Sequence, residues 1–356
     1  MALLKKTVLI ALALAAAGCG PAERAAAPEP VDRHLVYEKI VGETGIWIAD
    51  VNGGRPRLLL ADGHAPKISP DGKWVAYLDD CSPSTARCSL FLVSVSRGKS
   101  RLLARGSYEE FSWSRDSDRI AGARLLNEQE FDEALLTIDV PSGDNVTLAE
   151  GDLYGWSFSP DGKQIVFAFA REPSLEGFDS EKIDLFVANS DGGGESELRR
   201  ITDTGDSGYP VWGPKSIAFA KLIPYRGWGR HEIWRIQPDG KAREPIIAPT
   251  PERFLGQGYV GLIPIGWSDD GSALLVGWTS EFGASAIALD PESAAIHELD
   301  GGLSSDPGAI SHDGRYVLVD FPTEGRPEDY SVAIVPFAGG KPQVVARGAR
   351  APSWNR

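Results

Sequence analysis

From residue 34 onward, apolar and polar positions alternate in short runs, broken by Gly, Pro, Asp and Asn. A period of two sends successive side chains to opposite faces, so each run predicts a β-strand and each break a turn. The stretch "WSFSPDGKQIVFAFA" (Trp156 to Ala170) reads as strand, tight turn, strand. No stripe of helical spacing follows residue 33.

The same hairpin recurs at a nearly fixed interval. "KISPDGKWVAYL" centres on Asp71, "SWSRDSDRIAGA" on Asp116 and "SFSPDGKQIVFA" on Asp161, two steps of 45 residues. "GWSDDGSALLVG" follows on Asp270 and "AISHDGRYVLVD" on Asp313, while "PVWGPKSIAFA" fills the gap with a shortened turn at Pro214. Between these lie further strand pairs with Gly-containing turns, such as "FLVSVSRGKSRLL", "EIWRIQPDGKAREPII" and "VAIVPFAGGKPQVVA". Four short strands per repeat of about 40 to 45 residues predict an all-β chain built as a β-propeller.

A seventh unit is split between the ends: "RAPSWNR" begins like the others, and its missing strands stand at "HLVYEKI", "IWIADV" and "PRLLLA". The expectation is a seven-bladed β-propeller, with six blades as the alternative, closed by N- and C-terminal strands sharing one blade. Such closure removes exposed sheet edges. Just before each turn stand Ile68, Trp113, Phe158, Trp212, Trp267, Ile310 and Trp354, all bulky and apolar. The residues preceding them are mostly small, among them Ser112, Ser157, Gly266, Ala309 and Ser353. Large faces can then press on small ones between blades. The Asp-Gly turns cluster oxygens as calcium loops do, but Asp bonding its own backbone while Gly takes positive φ is what a tight hairpin requires. Turns, and no metal, are expected there.

The repeated "SPDGK" followed by an apolar strand resembles the WD40-like repeat of TolB-type propellers over about Leu35 to Arg356. The resemblance implies an exported, non-enzymatic envelope component that binds protein partners. It is expected to leave out the N-terminal α/β domain of TolB itself.

At the N-terminus, Lys5 and Lys6 precede the apolar run "TVLIALALAAA", which is short for a bilayer span and reads as a secretory signal over residues 1–18. "LAAAGCG" resembles the lipobox of bacterial lipoproteins, which implies cleavage before Cys19 and its diacylation. Ala16 is a less usual residue than Leu where that pattern begins, so ordinary cleavage without lipid is the alternative. Gly20 follows the cysteine in place of an inner-membrane retention Asp, which points to the outer membrane, facing the periplasm. Residues 19–33 lack an apolar pattern and are expected to form a solvated tether, with the propeller over residues 34–356.

Charge narrows the partners. Without the signal and its two lysines, 34 basic residues face 50 acidic ones. That excess disfavours nucleic acid and anionic headgroups, so the acyl group is expected to supply the membrane attachment. Beyond Cys19, the cysteines are Cys81 and Cys88, in two strand-like runs flanking a Pro/Ser-rich turn. A cross-strand disulfide suits that placement and an oxidising compartment. No His or further Cys lies nearby for a metal.

Related propellers also cap peptidases, so a hydrolase is weighed. Seven blades consume nearly all of the 322 residues from Leu35, and neither a G-x-S-x-G turn nor an H-E-x-x-H helix occurs. No motif calls for a cofactor. The expected function is a membrane-tethered envelope scaffold recognising a protein or peptide partner. The alternative is a carbohydrate-active or other hydrolytic propeller using acidic residues at the channel mouth. Loops on the face where chains enter inner strands should carry function. There "LIPYRGWGRHEIW" offers Tyr225, Arg226, Trp228, Arg230 and His231, and "APTPERFLGQGYVGLIP" adds Arg253, Phe254 and Tyr259. Arg and aromatic residues are enriched at binding hot spots. The plainer reading is that Trp228 covers blade ends and the arginines pair with acidic neighbours.

Overall fold

The computed structural model describes residues 34–81, 88–127, 132–170, 182–193, 198–225, 228–247, 261–280, 283–299, 306–322 and 330–355. These residues form 27 strands with no helix. None of them belongs to a helix long and apolar enough to cross a membrane. Cys19, Arg226, Arg253, Phe254 and Tyr259 lie outside the described residues.

The first sheet contains β1 (His34–Lys39), β2 (Gly45–Asp50) and β3 (Arg57–Leu60), with β27 (Ala349–Trp354) bound to the free edge of β1. Leu35 pairs with Trp354 and Lys39 with Ala349. Beyond the strand, the His34 N–H donates to Asn355 Oδ1 at 2.6 Å. The second sheet has seven strands: β4 (His64–Ile68), β5 (Trp74–Asp79), β6 (Cys88–Ser94), β7 (Ser100–Trp113), β8 (Arg119–Asn127), β9 (Asp132–Asp139) and β10 (Asn145–Glu150). Four four-stranded sheets complete the chain. They are β11 (Asp152–Phe158) to β14 (Arg199–Arg200), with β12 (Gln164–Ala170) and β13 (Ile183–Asn189); β15 (Ser207–Trp212), β16 (Ile217–Tyr225), β17 (Trp228–Ile236) and β18 (Glu244–Ile247); β19 (Gly261–Trp267), β20 (Leu274–Ser280), β21 (Gly283–Leu289) and β22 (Ile296–Glu298); and β23 (Asp306–Ile310), β24 (Tyr316–Pro322), β25 (Tyr330–Pro336) and β26 (Gln343–Arg347). Each pairs its strands antiparallel in chain order.

The seven-stranded sheet departs from the expected separate units. β7 continues without a loop: its first half pairs with β6 and its second with β8, Tyr108 being matched to both Cys88 and Arg124. Only Gly106, at a φ of 153°, interrupts it. One long strand thus serves as the outer strand of one unit and the inner strand of the next.

Strand alternation builds the core. Val75 and Tyr77 point to a cluster shared with Val36, Ile46 and Ile48, whereas Ala76 between them points to the opposite cluster with Phe111, Ile120 and Leu136. The same split separates Ile165 and Phe167 from Val166 and Ala168. Among the described residues seven such apolar clusters are found, and one joins Leu318 and Val332 to Leu35, Tyr37 and Trp354. Each fully buried Ile, Leu or Phe contributes about 1.5–3 kcal/mol relative to exposure.

The turns after the inner strands explain their recurring letters. Ser69 Oγ donates to Asp71 Oδ1 at 2.7 Å and accepts from the Trp74 N–H, while the Gly72 N–H donates to the Ser69 carbonyl. Ser159 with Asp161 and Ser268 with Asp270 repeat this at 2.7 and 2.8 Å. These aspartates are committed to their own turns; N–H and hydroxyl donors from Ser272, then Ser268, pull the Asp270 carboxyl down to about 2. Gly72, Gly162 and Gly271 share a φ of 72° that side-chain-bearing residues rarely adopt. Cys81 and Cys88 are joined in a disulfide with a Cα–Cα distance of 3.9 Å. Closing so short a loop contributes roughly 2–3 kcal/mol by the chain-entropy argument.

Candidate functional site

The inner strands β27, β4, β7, β11, β15, β19 and β23 converge on one cavity of about 310 Å³. Its walls carry the bulky residues at their ends, including Trp113, Trp212, Trp267 and Trp354, with Trp156 from further up β11. The position just before the bulky residue also lines it in every unit. Six units place Ser112, Ser157, Val211, Gly266, Ala309 and Ser353 there; the remaining unit places Lys67. Small residues at this level are what leave the space open. Pro70, Pro160, Pro214, Arg115 and Asp269 line it too, so the cavity lies toward the turn end of the inner strands.

Hydrogen bonds between neighbouring inner strands run around this space. The Ile68 N–H donates to Ser353 Oγ (3.3 Å), Trp113 Nε1 to the Lys67 carbonyl (2.9 Å), and Trp156 Nε1 to Ser112 Oγ (2.9 Å). The Trp212 N–H then donates to Ser157 Oγ (3.0 Å) and Trp267 Nε1 to the Val211 carbonyl (3.1 Å). The Asp269 N–H reaches the His312 carbonyl (3.2 Å); away from the cavity, Asp320 Oδ2 of the second strand β24 accepts the Ala351 N–H (2.8 Å). The three Nε1 bonds fix the rings of Trp113, Trp156 and Trp267 by their polar edges. At the turn end, Arg115 pairs with Asp269 Oδ2, and His312 Nδ1 contacts the same oxygen. The Asp269 side chain is only 11% exposed, so three units are tied together across the cavity's rim.

At the opposite end of the inner strands, β1, β4 and β27 meet at Glu38, which is 5% exposed. Glu38 accepts from Arg350 Nη2 at 2.9 Å, shares a 3.0 Å hydrogen bond with His64 Nδ1, and receives the Ala65 N–H at 3.4 Å. Burial alone would raise its pKa; the Arg350 and His64 contacts outweigh it and hold the carboxyl below its usual range.

The hairpin of β16 and β17 carries the first group of expected binding residues. Its pairing runs from Ile217 opposite Ile236 out to Tyr225 opposite Trp228, which puts those two residues at the tip. Arg230 and His231 lie further back, opposite Ile223 and Leu222, and sit inside the blade. Arg230 Nη2 pairs with Glu232 at 2.9 Å, and Glu232 also receives Trp234 Nε1. His231 is 4% exposed, with the Tyr209 ring edge-on at 6.2 Å, and burial lowers its pKa to about 4. The expected cluster is thus divided between a tip and a buried pair, because the hairpin zips further than its apolar pattern indicates. Lys67, Arg115, Asp269 and His312 were not singled out from sequence. Their signal is an exception to the repeat: a lysine where other units have small residues, and charged letters between Ser and Asp where others have Pro.

No family model matches the chain, and no curated protein sequence does. Among solved structures, it is similar to the β-propeller domain of the Trilobed protease from Pyrococcus furiosus, with a TM-score of 0.64 and 12% identity, covering 88% of this chain and 92% of that one. That domain has an open velcro topology; here β27 pairs with β1. Oligogalacturonate lyase from Vibrio parahaemolyticus gives a TM-score of 0.57 at 15% identity, covering 88% of this chain and 84% of that one. TolB from Acinetobacter baumannii gives 0.49 at 18% identity, covering 91% of this chain and 66% of that one. The chain therefore spans just under two thirds of that TolB's length. At these identities, the first two likenesses show the fold alone: a β-propeller.

Proposed function

We propose that the chain is a binding scaffold of the cell envelope: a seven-bladed propeller that grips a protein or peptide segment at the loop end of its blades. The observation that carries this reading is the β16–β17 hairpin, whose strands of nine residues each outreach most second–third strand pairs and bring Tyr225 and Trp228 to a common tip. Arg226 belongs to the two-residue connection at that tip, and Arg253, Phe254 and Tyr259 to the connection between β18 and β19. Cationic and aromatic residues suit a partner seeking contacts on a chain with a formal net charge of −14.

In this reading β7 is divided between two blades, and β27 closes the ring against β1. Residues 1–18 direct export, Cys19 carries the lipid, and residues 19–33 tether the propeller to the outer membrane on its periplasmic side. Closure is supported by the apolar layer shared by Leu318, Val332, Leu35 and Trp354. The hydrolytic alternative needs carboxylates at a channel mouth that are free to exchange protons with substrate. Glu38, Asp320 and Asp269 are instead engaged with Arg350, the Ala351 N–H and Arg115.

The test is crosslinking in intact cells followed by capture of the full-length protein. Arg226→Ala combined with Trp228→Ala should remove the principal crosslinked partner, and a thermal melt like that of the wild type should show the protein still folded. An unchanged set of partners would refute the loop-end site. Cys19→Ser should move the protein from the membrane pellet to the soluble fraction.

A further inference from the structure

The central cavity is a separate matter from the loop end, and it contains one residue that the repeat does not explain. At the level just before the bulky wall residue, six units use Ser, Val, Gly or Ala and one uses Lys67. Packing does not demand a long side chain there, because the small residues of the other units satisfy the same position. A half-buried lysine surrenders rotamer freedom and part of its hydration.

Its setting compensates only in part. Nζ donates to the Phe111 carbonyl at 2.7 Å and stands 5.2 Å from the Phe111 ring centroid. Among the described residues no carboxylate pairs with it, although the chain carries 50 acidic residues against 36 basic ones. The carboxylate that also lines the cavity, Asp269, is held by Arg115 and His312. An ammonium has three donors, and among the described residues one is used. The walls beside it are indole and phenyl rings, and the N–H groups of Trp113, Trp156 and Trp267 are spent on neighbouring strands. What the space offers a guest is the positive charge of Lys67 and the indole faces, with serines such as Ser112, Ser157 and Ser353 between them and Arg115 already paired to Asp269. Its volume, about 310 Å³, equals that of about ten waters and lies at the small end of ligand pockets.

We propose that this cavity binds a small monocarboxylic acid with an aromatic or aliphatic body, its carboxylate ion-paired to Lys67 and its body against the tryptophan walls. A single cation matches a monoanion. A phosphate would call for an Arg fork or several free backbone N–H groups, and the backbone N–H groups of Ile68 and Trp212 on these strands are already donated.

The proposal does not rest on the loop-end reading and is tested apart from it. Titration calorimetry on the full-length protein would use phenylacetate, with phenylacetamide as the neutral analogue and inorganic phosphate as the alternative anion. Phenylacetate should bind, and phenylacetamide should bind at least about tenfold more weakly, the effect of losing one charge-assisted pair. Lys67→Ser installs the residue that other units carry, and should lower phenylacetate affinity by at least about tenfold. Lys67→Arg, which keeps the charge, should retain most of it and serves as the control if Lys67→Ser disturbs the fold. Equal binding of acid and amide, equal binding by wild type and Lys67→Ser, tighter binding of phosphate than of phenylacetate, or no heat up to about 10 mM phenylacetate would each overturn the proposal.

Discussion

His231 shows how one side chain ties the fold to pH. Burial holds its imidazole neutral, with a pKa of about 4 in place of 6.5. Above pH 6.5 both folded and unfolded chains carry it uncharged. Between 6.5 and 4 the unfolded chain takes up a proton that the folded one refuses, so stability present above this window is lost as pH falls through it. The difference amounts to roughly 3 kcal/mol when the whole window is crossed. Urea unfolding followed from pH 7 to pH 4.5 should therefore show a decline that His231→Leu reduces. Parallel pH profiles for the two proteins would contradict the buried, neutral assignment. The burial of His231 is not visible in a linear reading, and Lys67 shows there only as an exception to the repeat, without its place in a cavity. The first depends on how far a hairpin zips, and the second on seven strands converging from across the chain.

At the scale of the element, neighbouring inner strands approach so closely that some positions tolerate only glycine. Gly213 stands where five other units place the turn serine, and a Cβ there would lie 2.7 Å from the Trp267 ring in the next sheet. The Trp267 indole is itself pinned to the Val211 carbonyl, so it cannot swing away without breaking that bond. Gly213→Ala should lower stability by about 1–3 kcal/mol through overpacking, read as a shift in urea midpoint. A midpoint unchanged within error would mean the two strands sit further apart. The hairpins themselves were legible because their signals are local. A Ser, an Asp two residues on and a Gly after it encode the turn, and period-two alternation encodes the two buried faces. The fusion of two units through β7 was not legible, since its sequence "SRLLARGSYEEFSW" differs from other junctions only in lacking a stronger break than Gly106.

Across the described residues, stability is distributed over several apolar clusters, and the one that joins β27 to β1 has a distinct dependency. Trp354 and Ala349 pack with Leu35, Tyr37 and Leu318, and β27 satisfies the edge of β1. Deleting residues 349–356 should lower the melting temperature by several degrees, as expected for loss of a strand and about 2–3 kcal/mol or more from Trp354 alone. It should also promote association through the bared edge of β1; thermal melts with light scattering check both. A truncated chain that melts like the intact one would show that the joint contributes nothing. The bond from His34 to Asn355 spans 321 positions of sequence. The edge of β1 is therefore covered only when a strand more than three hundred positions away along the chain pairs with it. A pairing this distant must meet the entropy of closing a very long loop before its contacts repay it, which sets it among the slow steps of folding.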